Sequence, residues 1–321
     1  MTIKRTVLFE DLPNELLIEI FQSIDARNLF ESFSNLNRRF NALLRSLNKL
    51  IFIIRPGQEQ HENIDHAQIE TLIVHSNANL KLSSYPRLRH LILIDSKDKQ
   101  ISEAMKDARS VEKIALISPR CFYTTLNFHE MIFSNGFPRL KSCHLTSVYL
   151  PSMEIRQVSW KQSPSIRSLK ISSRDPSIHL AVLSACPNLR YFDLTIRQLD
   201  HPLVEIDTHF HLRKLRLRFE DGQWPIDQSI FKKFFIVIPY ITDLYVHRFA
   251  CLPELFNELI EFNWLGPIIH QQLQHLQRFY FYVHLVSTDE NRYAFLIDQM
   301  QTNFRQIYSD LSHCILRIVR Q

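Results

Sequence analysis

One six-residue pattern constrains this chain more than anything else in it: apolar, two variable, apolar, one variable, apolar. It appears as LNKLIF at residue 47, IETLIV at 69, LRHLIL at 88, VEKIAL at 111 and LKSCHL at 140. It continues as IRSLKI at 166, LRYFDL at 189, LRKLRL at 212, ITDLYV at 241 and LQRFYF at 276, with a last copy, LSHCIL, at 311. The final four residues of each copy alternate apolar and variable, as a short strand with one buried face requires. Successive copies begin 19 to 35 residues apart.

Helix-like segments fill several of the intervals. In SIHLAVLSACPNLRYFDL, Leu180, Leu183 and Ser184 fall at helical spacing before Cys186-Pro187 stops the helix. DQSIFKKFFIVIPYITDLYV repeats the design with Pro239 as the stop. Pro86, Pro138, Pro164, Pro187 and Pro239 all stand just upstream of a predicted strand, where a helix must end. Strand, helix, strand at this period is the signature of a leucine-rich solenoid, whose single-repeat units bury their apolar faces against one another. An ordinary two-layer α/β domain is the other reading. The consensus asparagine that follows the strand in such repeats occurs once, at Asn77.

Composition removes several alternatives. Hydrophobic content of 45% with 22% charged residues excludes a disordered chain. With glycine only at 57, 136, 222 and 266, there is no Gly-rich phosphate loop and no Gly-x-Ser-x-Gly nucleophile elbow. Cys121, Cys143, Cys186, Cys251 and Cys314 are widely spaced and form no Cys-x-x-Cys pair, which points to reduced thiols in a cytoplasmic or nuclear protein. No apolar run approaches the roughly 20 residues of a membrane helix.

The opening segment FEDLPNELLIEIFQSI carries Leu12, Leu16, Leu17, Ile20, Phe21 and Ile24 on one broad helical stripe. Asp11 is placed to cap its first turn, where Pro13 is tolerated. After a break near Asp25-Ala26-Arg27, a second stripe runs through Leu29, Phe33, Leu36, Phe40 and Leu43/Leu44. This order, with Leu12-Pro13, Glu15-Leu16-Leu17, Ile20-Phe21, Ile24, Leu29 and the LNRRFNAL run from Leu36, resembles the F-box. Where many F-boxes carry a Trp, this chain has Leu50 and Phe52. The resemblance implies that a mobile N-terminal module docks on the adaptor subunit of a cullin–RING (SCF-type) ubiquitin ligase, and through it the cullin. Leu12, Pro13, Leu16, Leu17, Ile20 and Phe21 would carry that contact, since a few central apolar residues dominate such interfaces.

In a solenoid the variable strand positions line the concave side. From Lys214 onward these are basic and aromatic: Lys214, Arg216 and Arg218, then Tyr245 and His247, then Arg278, Tyr280 and Tyr282. Arg and Tyr are enriched at binding hot spots, and Arg clusters suit acidic or phosphorylated peptides. A target protein is therefore expected on this face, although a solvated strand face favours the same residues. RNA fits less well, because Asp193, Glu220, Asp221 and Asp243 are interspersed and no RNA-binding motif is present.

The remaining chemistry is sparse. His209-x-His211 would place two rings on one strand face, and His270 and His275 are five apart, but neither pair has a nearby third ligand. No metal, cofactor or catalytic residue is indicated. From Ser287, a capping-box pattern opens a helical stripe through Phe295/Leu296, Met300, Phe304, Ile307 and Leu311 that would close the far end.

The chain is thus expected to be α/β: an all-α F-box module over residues 1–48, then a curved leucine-rich-repeat-like solenoid with parallel strands over 49–321. By resemblance it is a substrate-recognition subunit and not an enzyme. The alternative is an interaction scaffold, without ubiquitin transfer, whose N-terminal helices only cap the solenoid.

Overall fold

The computed structural model describes residues 8–57, 64–76, 78, 81–117, 126–145, 160–173, 177–196, 207–219, 228–251, 265–286, 298, 301–302, 304–306, 308 and 313–320. Two compact units divide the chain, Met1–Cys121 and Phe122–Gln321. Asn77, Leu311, the Ser287 capping box and most of the C-terminal stripe lie outside the described residues.

The first unit opens with three helices, α1 (Asn14–Ser23), α2 (Ala26–Phe33) and α3 (Arg38–Ser46). Strands β1 (Leu50–Ile54), β2 (Ile69–His75), β3 (His90–Ile94) and β4 (Lys113–Ile117) follow, with α4 (Asp98–Asp107) before the last. They pair in parallel in chain order.

The second unit repeats the scheme with β5 (Ser142–Leu145), β6 (Ser168–Ser173), β7 (Tyr191–Ile196) and β8 (Lys214–Phe219). It continues with β9 (Asp243–Cys251), β10 (Arg278–Val286) and β11 (His313–Arg320). Its helices include α5 (Leu126–Phe133), α6 (Ser177–Ala185), α7 (Gln228–Val237) and α8 (Leu265–Gln272) among the described residues. These strands too are parallel and in chain order. Parallel strands joined by helical returns make this an α/β solenoid-like fold, as the spacing predicts.

The repeated apolar triads are the core. Leu189, Phe192 and Leu194 are buried, as are Leu212, Leu215 and Leu217, and Leu276, Phe279 and Phe281. Each such side chain stabilises the fold by about 1.5–3 kcal/mol on burial. The first member of a triad turns the chain: the N–H groups of Leu140, Leu189 and Leu276 donate to the carbonyls three residues earlier, Phe137, Cys186 and Leu273, and that of Leu212 to the ring of His209. The next residue sets the pitch. The Arg167 carbonyl accepts from the N–H groups of Arg190 and Tyr191, and the Arg190 carbonyl from those of Arg213 and Lys214. The Arg213 carbonyl then accepts from Thr242 and Asp243, and the Thr242 carbonyl from Gln277 and Arg278. Helices stop where the prolines predict, α6 ahead of Pro187 and α7 ahead of Pro239. From the C-terminal stripe, Phe304 lies against Phe279 at 5.7 Å and Tyr308 at 5.0 Å, covering β10.

Candidate functional site

Two surfaces stand out, one in each unit. The first is on the helical module. Its centre is a cluster of four rings, Phe9, Phe21, Phe33 and Phe40, with centroids 4.9 to 6.4 Å apart. That cluster divides the stripe of α1, which sequence alone leaves undivided. Leu17 and Phe21 are 0% exposed, whereas Leu16 is 46% and Ile20 36% exposed. Pro13 is exposed as well, and Leu12 is half-buried. Of the six residues expected to form one docking contact, four therefore offer surface and two hold the helix from behind.

Two local features depart from expectation. Asp11 does not cap α1: its carboxylate accepts the Leu8 N–H at 3.0 Å, closing a short 3-10 turn over Phe9–Asp11. Pro13 stands at the N-cap instead, its carbonyl accepting the Leu17 N–H at 3.1 Å. Pro is suited to this place because it has no N–H to leave unpaired.

Arg39, which the periodicity gives no reason to single out, fastens the Leu-Pro segment. Its guanidinium donates to Asn14 Oδ1 at 2.8 Å, to the Leu12 carbonyl at 2.5 Å and to the Glu10 carbonyl. Asn37 caps α3 by accepting the Phe40 N–H at 2.8 Å and so orients Arg39 from the first turn.

The module is expected to be mobile; in the structure it is bonded to the strands beside it. Asp25 Oδ1 accepts the Ile53 N–H of β1 at 2.8 Å, and Asp25 bridges Ile51 in parallel. The buried Arg27 lies over the Phe52 ring at 5.5 Å. The Gln68 side-chain amide donates to the carbonyls of Leu44 and Leu47, both at 2.9 Å, at the end of α3. These groups need partners, since the last helical carbonyls have none within the helix. Leu50 and Phe52 are buried in β1.

The second surface is the outward face of the second unit. Zero-shift parallel register stacks its side chains in rows. One row runs His144, Lys170, Asp193, Arg216, Tyr245, Tyr280 and Ile315. Beside it run Thr195, Arg218, His247, Tyr282 and Arg317, and on the other side Tyr191, Lys214, Asp243 and Arg278. All eight candidate target-binding residues thus fall on one face of three adjacent strands.

Their contacts are mutual. Arg218 makes a two-pronged hydrogen bond to Asp193, both arms at 3.1 Å. Arg216 reaches the same carboxylate at 3.7 Å and lies over the Tyr245 ring at 5.2 Å. The Tyr191 hydroxyl donates to Asp193 Oδ2 at 3.2 Å. Tyr245 stacks on Tyr280 with centroids 4.7 Å apart, and His247 on Tyr282 at 4.4 Å. Arg278 pairs with Asp243, which also accepts the Thr242 hydroxyl at 2.8 Å. Burial lowers the pKa of Lys170, and Arg218 lowers it further. The burial of His144 does the same to its ring, with Lys170 adding to the effect.

The histidine pair is structural in position. His209 and His211 precede β8 rather than lying on it. His209 Nδ1 accepts the Leu212 N–H at 3.2 Å, so Nε2 carries the proton and donates to the Cys186 carbonyl at 2.9 Å. His211 Nδ1 lies 3.1 Å from the Pro187 carbonyl. Among the described residues no three His, Cys, Asp or Glu side chains converge on a metal position, and no helix is long and apolar enough to cross a membrane.

Compared with known families, residues 9–52 match the F-box domain. The helical module with its first strand is therefore an F-box domain, a module that in general binds the adaptor of an SCF-type ligase on behalf of a substrate receptor. The solenoid-like fold beyond it rests on strand register and burial. No curated protein matches the chain.

Proposed function

We propose that this protein is a substrate receptor of a cullin–RING ubiquitin ligase, with α1 docking on the adaptor and the outward face of β8–β10 holding a target protein. The observation that carries the first half is the division of α1. Leu16 and Ile20 remain exposed although Leu17, Phe21 and the aromatic cluster could have drawn the whole stripe inside. Leu12, Pro13, Leu16 and Ile20 form the docking surface, and Leu17 and Phe21 keep it rigid. Capping and docking do not compete, because the module meets the strands through Asp25 and Arg27 and through the Leu44 and Leu47 carbonyls that Gln68 holds, not through Leu12, Pro13, Leu16 or Ile20. The protein would catalyse nothing itself; it would raise the effective concentration of a target beside the transferring enzyme.

Co-purification with the adaptor tests this, wild type against Leu16→Asp. A charge on an exposed position leaves the fold intact, so the variant is expected to melt like wild type and to lose the adaptor. Absence of wild-type binding, or retention by the variant, sinks the docking reading.

A further inference from the structure

Charge on the outward face of the second unit alternates strand by strand. Lys170 is on β6, Asp193 on β7, Arg216 and Arg218 on β8, Asp243 on β9 and Arg278 on β10. It alternates in depth as well. The Asp193 and Asp243 side chains are 2% and 5% exposed, against 31%, 30% and 45% for Arg216, Arg218 and Arg278. Two carboxylates form a floor, and what solvent meets is the cations above them. Aspartate is depleted in strands, and a carboxylate is costly to bury without partners. Here each acid is spent on fixing long side chains that would otherwise sample many rotamers. Arg218 is held by its planar fork, and Arg216 between the Asp193 carboxylate and the Tyr245 ring.

Resting on the reading of this face as the target site, we infer that Asp193 and Asp243 are positioning residues, which preassemble Arg216, Arg218 and Arg278, beside Lys170, for an acidic, extended segment of the target. The spacing favours such a segment over a single small anion. Cations stand on every second strand, about 10 Å apart, and an extended chain covers that distance in about three residues. At Lys170 Asp193 does not offset its neighbours: besides burial, Arg218 lowers the lysine's pKa by more than Asp193 raises it, and Arg216 adds to the lowering.

The experiment is fluorescence anisotropy of labelled octaglutamate on the full chain at low salt, with octalysine as control. Wild type is expected to bind octaglutamate, more weakly as salt rises, and not octalysine. Asp193→Asn makes the face one charge more positive yet is expected to bind about fivefold more weakly, because the charge-assisted fork is lost. Arg218→Lys keeps the charge and loses the fork, so it should weaken binding in the same direction, and it decides the matter if Asp193→Asn does not fold. Equal or tighter binding by the folded variants overturns the positioning role and leaves the face as target site. Failure of wild type to bind, equal binding of octalysine, or indifference to Arg216→Glu with Arg218→Glu overturns the face itself, and the inference with it.

Discussion

His129 sits on α5, 1% exposed, with neither ring nitrogen hydrogen-bonded among the described residues. Burial pushes its pKa down from 6.5 to about 3. Below pH 6.5 the unfolded chain takes up a proton here and the native chain does not. Stability present at neutral pH is therefore lost as pH falls through the window from about 6.5 to about 3, by about 1.4 kcal/mol per pH unit. His129→Leu should flatten the decline of melting temperature between pH 7 and pH 5; an unchanged slope would place the acid sensitivity elsewhere. Neighbouring residues show what a sequence can reveal at this scale. Leu16 and Leu17 are chemically identical and adjacent, and both fit the helical stripe. Which one faces out is decided by Phe9, Phe33 and Phe40, whose positions depend on how three helices meet. Asp193 was equally opaque: in one dimension it dilutes a basic face, and only strand register shows it lying beneath two arginines.

At the scale of elements, the strands were legible and the fastenings were not. Each apolar triad marks its strand because a parallel strand with one covered face imposes a period of two on whatever sequence occupies it. Prolines mark the helix ends for an equally local reason. Arg39 follows no period: its partners Glu10, Leu12 and Asn14 lie 25 to 29 residues earlier. Removing it leaves two carbonyls and an amide oxygen to water and frees the Leu-Pro turn. Arg39→Ala should therefore weaken adaptor binding more than it lowers the melting temperature, with a stability loss of about 1–3 kcal/mol. A Tm drop with adaptor affinity unchanged would make Arg39 a purely structural clamp. Asp25 sits where the module meets β1. Asp25→Ala should speed hydrogen exchange at the Ile53 amide ahead of its neighbours in β1, and uniform protection there would show that the carboxylate is dispensable.

At the scale of the molecule, each repeat rests on its neighbours, so damage is expected to spread along the strands and not through a single centre. Phe192→Ala removes a fully buried ring from β7 and should cost about 3–5 kcal/mol. Hydrogen exchange should then rise across β5–β11 while β1–β4 keep their protection. Simultaneous loss in both units would mean that they fold as one.

The doubled hydrogen bonds at Arg167, Arg190, Arg213 and Thr242 bear on how such a chain changes over time. The rise from one strand to the next is set by main-chain atoms that every residue type but proline possesses. Segments between strands can lengthen or shorten without disturbing that rise, and intervals of 19 to 35 residues show the latitude already taken. Outward side chains have no part in it. The scaffold behaves like a printed stave, fixed in its lines and indifferent to the notes, so that a new partner could be acquired by rewriting one face while the architecture stays where it is.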